Sequence, residues 1–162
     1  MSAMQRTKGQ AGEREIAGIV RDLTGWDVRR RVRQHGGDSD LEGVPGWSVE
    51  VKRHRTATHG DLARWWQQAA SQAGELVPVL FYRADRADWR AVWPLATTLV
   101  QQPADCWRGY RWTADTTVEA WAAVARDRLR ADATDAPASG GIEPCRRDHG
   151  PFGHSVIAEK EA

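Results

Sequence analysis

The sequence predicts an α/β fold, a mixed β-sheet flanked by α-helices. Three observations carry this. Candidate elements run helix, strand, strand, strand, helix, strand, strand, an order that packs helices on a sheet. The path from a strand at 47–52 through a helix at 59–74 to a strand at 77–83 has the length of a parallel crossover. All nine tryptophans lie at or before Trp121, which confines core-building material to the first three quarters of the chain.

Residues 1–10 are polar and read as a flexible arm. "AGEREIAGIVRDLTG" (11–25) reads as a helix, because Ile16, Ile19, Val20 and Leu23 repeat at helical spacing and Gly25 offers a stop. Glu13 sits three residues before Ile16 and shares the buried face of its first turn. "WDVRRRVRQ" (26–34) alternates as a strand. It sets Arg29, Arg31 and Arg33 on one face and Arg30 on the other. "HGGDSD" (35–40) is a loop. A short strand at 41–44 and a longer one from Trp47 to Lys52 flank a turn at Pro45 and Gly46. "HGDLARWWQQAASQAG" (59–74) is a second helix with an apolar stripe of Leu62, Trp66, Ala69 and Ala73. Strands follow at 75–83 and 87–95, and a helix at 116–130. Residues 96–115 give no clear period. The chain is therefore expected to form one domain over residues 1–130. Residues 131–162, rich in Pro, Gly and charge, are expected to be a flexible or disordered tail.

A chain of 162 residues suffices for one domain with a sizeable core. Mean hydropathy is −0.63 and charged residues make up 28%. No apolar run approaches the roughly 18–20 residues of a membrane helix, and no secretory signal is expected from "MSAMQRTKGQ". Cys106 and Cys145 are too few for a disulfide scaffold. A cytoplasmic location is the default. The net charge of +1 does not announce a nucleic-acid partner, but its distribution does: "RRRVR" and "KRHR" flank the acids Asp38, Asp40, Glu42 and Glu50.

The chemistry concentrates in "GVPGWSVEVKR" (43–53). Glu50 and Lys52 lie two apart on an apolar strand and so point the same way. A turn at Pro45-Gly46 brings Asp40 back beside Glu50. Two adjacent carboxylates repel unless one keeps a proton or a cation sits between them. A pair of carboxylates with a backbone carbonyl and waters suits Mg²⁺. Val51 offers that carbonyl, Lys52 a cation to orient water or hold phosphate, and Glu13 a further acid. Such a kit suits metal-assisted phosphodiester hydrolysis. The plain alternative is a surface ion pair between Glu50 and Lys52, worth little in stability.

Asp40 followed ten residues later by "EVK" resembles the signature of the PD-(D/E)XK nuclease superfamily, with Ser39 in place of the proline that often precedes the aspartate. "KGQAGEREI" (8–16) resembles the opening helix of its Holliday junction resolvase-like members. "GGDSDLEGVPGWSVEVKR" (36–53) is similar to the core motif of phage-encoded ones. "WWQQAASQAGELVPVLFYR" (65–83) resembles the helix and strand that follow, where a glutamine in a W-x-x-Q-A context faces the site. The resemblance spans residues 8–95. It implies a restriction-endonuclease-like sheet and a Mg²⁺- or Mn²⁺-dependent endonuclease acting on branched DNA, often as a homodimer, in the host cytoplasm if phage-encoded. Glu13, Asp40, Glu50, Lys52 and Gln68 would be catalytic. Asp40, Glu50, Val51 and Glu13 would hold the metal. Beside such a site, Lys8, Arg29, Arg31, Arg33, Arg53 and Arg55 are expected to meet DNA phosphates. No small-molecule cofactor is expected. Trp65 and Trp66 are expected to be core or dimer surface rather than base-stacking platforms. Cys145, His149 and His154 include only one cysteine and no C-x-x-C pair, so no zinc site is expected there.

Overall fold

The computed structural model describes residues 3–32, 39–98 and 109–134. Helix α1 (Ala3–Thr24) begins well before the expected start. The polar stretch 3–10 is helix rather than a loose arm, because alanine, methionine, glutamine, arginine and lysine are all good helix formers. Lys8 further ties this turn down, bonding Asp85 at 2.5 Å. The N–H of Gly25 donates to the Arg21 carbonyl and closes the helix.

Strands β1 (Arg29–Arg30) and β2 (Leu41–Glu42) form a small antiparallel pair, with Arg30 opposite Leu41. Of the expected strand 26–34, only Arg29–Arg30 is strand among the described residues. Its partner runs out at Gly43, which has φ +81° and whose Cβ would lie 2.2 Å from the Asp27 carbonyl oxygen. Only glycine fits there.

The main sheet has the order β3-β4-β5-β6. It comprises β3 (Trp47–His54), β4 (Val77–Ala84), β5 (Arg90–Pro94) and β6 (Thr113–Thr117). β3 and β4 run parallel, with Glu50 opposite Leu80 and Lys52 opposite Tyr82. The other pairs are antiparallel. Helix α2 (His59–Gln72) makes the crossover between β3 and β4. Thr58 and Asp61 form a reciprocal capping box at its start, satisfying backbone donors that helix geometry leaves open.

The sheet's two faces bury different sets. Val49, Val51, Val79, Phe81, Ala91 and Trp93 join the core under α1 and under α3 (Val118–Thr134). There Trp121 is fully buried, edge-on to Trp47 at 5.4 Å and to Phe81 at 4.8 Å. Leu80 and Val92 pack under α2 with Leu62, Trp65, Trp66, Ala69 and Ala70. The paired tryptophans are therefore core. This α/β sandwich is the architecture the sequence predicts. Strand β6, "TADTT", was not anticipated. It is tied by side-chain bonds rather than apolar alternation: Trp93 Nε1 donates to Thr116 Oγ1, and Tyr82 and Arg90 donate to Asp115. Helix α3 runs to Thr134, past the expected boundary at 130. The remaining tail, with Cys145, His149 and His154, lies outside the described residues, as does Cys106.

Candidate active site

The acids gather where the sheet stops, at the edge of β3 that faces away from β4. Backbone groups of alternate strand residues point to alternate sides. Val49 and Val51 aim theirs at this edge. The Val49 carbonyl accepts from the Asp40 N–H at 2.8 Å, and the Val49 N–H donates to Ser39 Oγ at 2.9 Å. The Val51 N–H donates to Asp40 Oδ2 at 2.7 Å. Ser39 and Asp40 therefore act as a short substitute strand, and the Val51 carbonyl opens on the same side as the Asp40 carboxylate.

Glu50 projects toward α2, and its side chain is only 8% exposed. A carboxylate so deeply placed needs partners, and it has two. Lys52 Nζ lies 2.5 Å from Glu50 Oε1, and Gln68 Nε2 donates to the same oxygen at 3.0 Å. α2 carries Gln68 opposite the strand because its tryptophan and alanine stripe is buried against the sheet. Glu13 approaches from α1. The close passage of that helix depends on Gly12, whose added Cβ would meet Arg53 side-chain carbons at 3.2 and 3.3 Å. Glu13 Oε2 accepts from Arg30 Nε at 2.5 Å.

Burial, reinforced by the charges of Glu50 and Glu13, pushes the Asp40 carboxyl up to about 7, against the pull of the Val51 N–H and of Lys52. At Asp40, burial and acidic neighbours thus outweigh the contacts that favour its charged form. His54 continues the line of Glu50 and Lys52 and lies over Trp65 at 4.6 Å. Burial, then Lys52, lowers its pKa.

The donor chemistry fits a divalent cation of the Mg²⁺ type, which takes one or two carboxylates and keeps waters. Asp40, Glu50 and the Val51 carbonyl would be the donors. Among the described residues, no three His, Cys, Asp or Glu side chains converge as a metal-holding group, and the Glu13 carboxylate is turned to Arg30. Three of the six expected DNA contacts are held by acids. Lys8 is on Asp85, Arg29 on Asp27 and Arg53 on Glu15. Arg31 is half-buried, with its backbone N–H on the Asp40 carbonyl, and Arg55 is exposed just beyond β3. Arg33 and Asp38 lie outside the described residues.

Sequence reasoning missed the bridging by Ser39 and the inward turn of Arg30. A hydroxyl beside the aspartate was the available signal for the first. Nothing in the local pattern signalled the second, since Arg30's partner is 17 residues away.

Among the described residues, no helix is long and apolar enough to cross a membrane. No curated protein and no solved structure gives a significant match to the chain. Residues 4–120 match the family described as "Phage putative PDDEXK endonuclease". That span exceeds half of the chain and contains every acid of the β3 edge, and the chain belongs to this family of PD-(D/E)XK nucleases.

Proposed function

We propose that this nuclease is a Mg²⁺- or Mn²⁺-dependent endodeoxyribonuclease that cuts branched DNA, with four-way junctions as its best substrate. The observation that carries the catalytic reading is the juxtaposition of Asp40, Glu50 and Lys52 at one sheet edge, with the Asp40 carboxyl pushed up by burial and by its acidic neighbours. A pure binding surface has no use for buried acids where phosphate must approach. Bound between these donors, the cation would lower the pKa of water and offset charge developing on the phosphate. The Val51 N–H keeps Asp40 in one orientation, and Gln68 does the same for Glu50. Lys52 brings an ammonium to the face on which the scissile phosphate would lie, where it orients the phosphate or the attacking water. Arg29, Arg31, Arg33, Arg53, Arg55 and Lys8 would steady the flanking backbone without reading sequence.

The preference for branched DNA is supported by the resemblance of the opening helix, residues 8–16, to that of Holliday junction resolvase-like members. A junction presents two strands for symmetric cutting, which favours a homodimer with two linked sites. The deciding experiment compares a four-way junction with a linear duplex of matching sequence, in Mg²⁺, Mn²⁺ and EDTA. Expected is paired, symmetric cutting of the junction that EDTA abolishes. Equal cutting of the linear duplex would replace the junction reading with a repair- or restriction-type activity. Metal-independent cutting would remove the proposed metal site.

A further inference from the structure

The strand pattern set Arg30 on the face opposite Arg29, Arg31 and Arg33, with no task of its own. In the structure it spans two elements of the site. Arg30 Nε meets Glu13 Oε2 at 2.5 Å, with the two side chains only 20% and 14% exposed. Arg30 lies opposite Leu41, and the next residue, Arg31, donates its N–H to the Asp40 carbonyl at 3.0 Å. The acid of α1 is thus bonded to the strand that is bonded to Asp40. Three carboxylates, Glu13, Asp40 and Glu50, share this region, and mutual repulsion would turn the most mobile of them to solvent. Glu50 has Lys52. Glu13 has Arg30.

We propose that Arg30 is a positioning residue, whose guanidinium holds the Glu13 carboxylate at the reactive edge and balances its charge while contacting no DNA itself. This rests on the reading that Glu13 belongs to the reactive site. Arginine suits the task, because its delocalised charge stays protonated and its planar fork fixes a carboxylate in one orientation.

The test uses the full chain with Arg30→Gln, Arg30→Lys, Glu13→Gln and the double variant Glu13→Gln/Arg30→Gln. Cleavage of a substrate the wild type cuts is measured in single turnover at saturating enzyme. DNA binding is measured in EDTA across a salt series. Arg30→Gln is expected to slow the cleavage step roughly 10-fold or more, with DNA affinity and its salt slope unchanged. Arg30→Lys should recover part of the rate. The double variant should be no slower than Glu13→Gln alone, since both changes remove one interaction.

Additive losses would overturn the proposal. So would a salt slope flattened by about 0.9, the mark of a direct phosphate contact. Should Arg30→Gln fail to fold, Arg30→Lys decides alone: it must slow the chain that has Glu13 and leave Glu13→Gln unaffected. A Glu13→Gln variant as fast as wild type would overturn the proposal and leave the nuclease reading standing. A wild type that cuts no DNA would overturn both.

Discussion

Glu13 and Glu15 stand two residues apart on α1, about 200° around the helix, on opposite flanks of the buried seam of Gly12, Ile16 and Val20. On one flank Glu13 pairs with Arg30 and lies within electrostatic reach of Asp40, which also feels Glu50 and Lys52. On the other, Glu15 alone serves Arg53 and Arg83, and Arg83 also lies over Trp89, 5.4 Å from the ring centroid. The residue types are the same and their arrangement differs. The Glu15 flank is complete in itself and pins α1 to the ends of β3 and β4. On the Glu13 flank, burial and acidic neighbours work against the charged form of Asp40, and an outside cation would relieve that strain.

The largest difference between the flanks is expected in the rate of cutting. Asp40→Asn and Glu50→Gln should each lower it by on the order of 10²–10³ or more, with DNA binding kept or tightened, because less negative charge meets the phosphate. Near wild-type turnover at saturating Mg²⁺ in either variant would sink the assignment.

Lys52→Ala comes next, with a loss on the order of 10². A single-turnover assay should place it in the cleavage step rather than in binding. An ordinary ion-pair residue would show neither effect.

Stability should move the other way on the acid flank. The folded-state pKa of Asp40 is raised from 3.8 to about 7, so between these values the folded chain binds the extra proton. The stability this contributes is complete below the unfolded pKa and is lost as pH rises through 7. Asp40→Asn in EDTA should therefore melt higher than wild type at pH 8, by an amount on the order of a few kcal/mol, and the gap should close toward pH 4. A constant gap across that range would show that Asp40 is not strained by its neighbours.

The smallest effect belongs to Glu15→Gln. Its pairs are partly exposed, so stability should fall by under ~1 kcal/mol and the cleavage rate should hold. A loss of rate comparable to that of Glu50→Gln would erase the distinction between the flanks.

The mixed sheet and its crossover were legible because the strand at 47–52 and the stripe of α2 are amphipathic at their own periods. The return of Asp40 to the edge of β3 was legible because Pro45-Gly46 offers a turn there. β6 was not, because its sequence alternates no apolar residues and its place is set by bonds from Tyr82, Arg90 and Trp93 on other strands. The helical start of α1 was hidden by polarity, which is no obstacle to a helix. Arg30 was hidden because a lone arginine in a run of arginines carries no local sign of a distant partner.

The substitute strand made by Ser39 and Asp40 has a consequence for assembly. An edge strand with free backbone groups invites another chain to pair with it. Here the Val49 N–H and carbonyl and the Val51 N–H are all occupied, by a hydroxyl, a backbone amide and a carboxylate. A second chain could lengthen the sheet across β3 only by prying the Asp40 carboxylate from Val51. Two copies that worked together on one DNA would therefore meet elsewhere, and the carboxylate bonded to Val51 keeps β3 from becoming a seam.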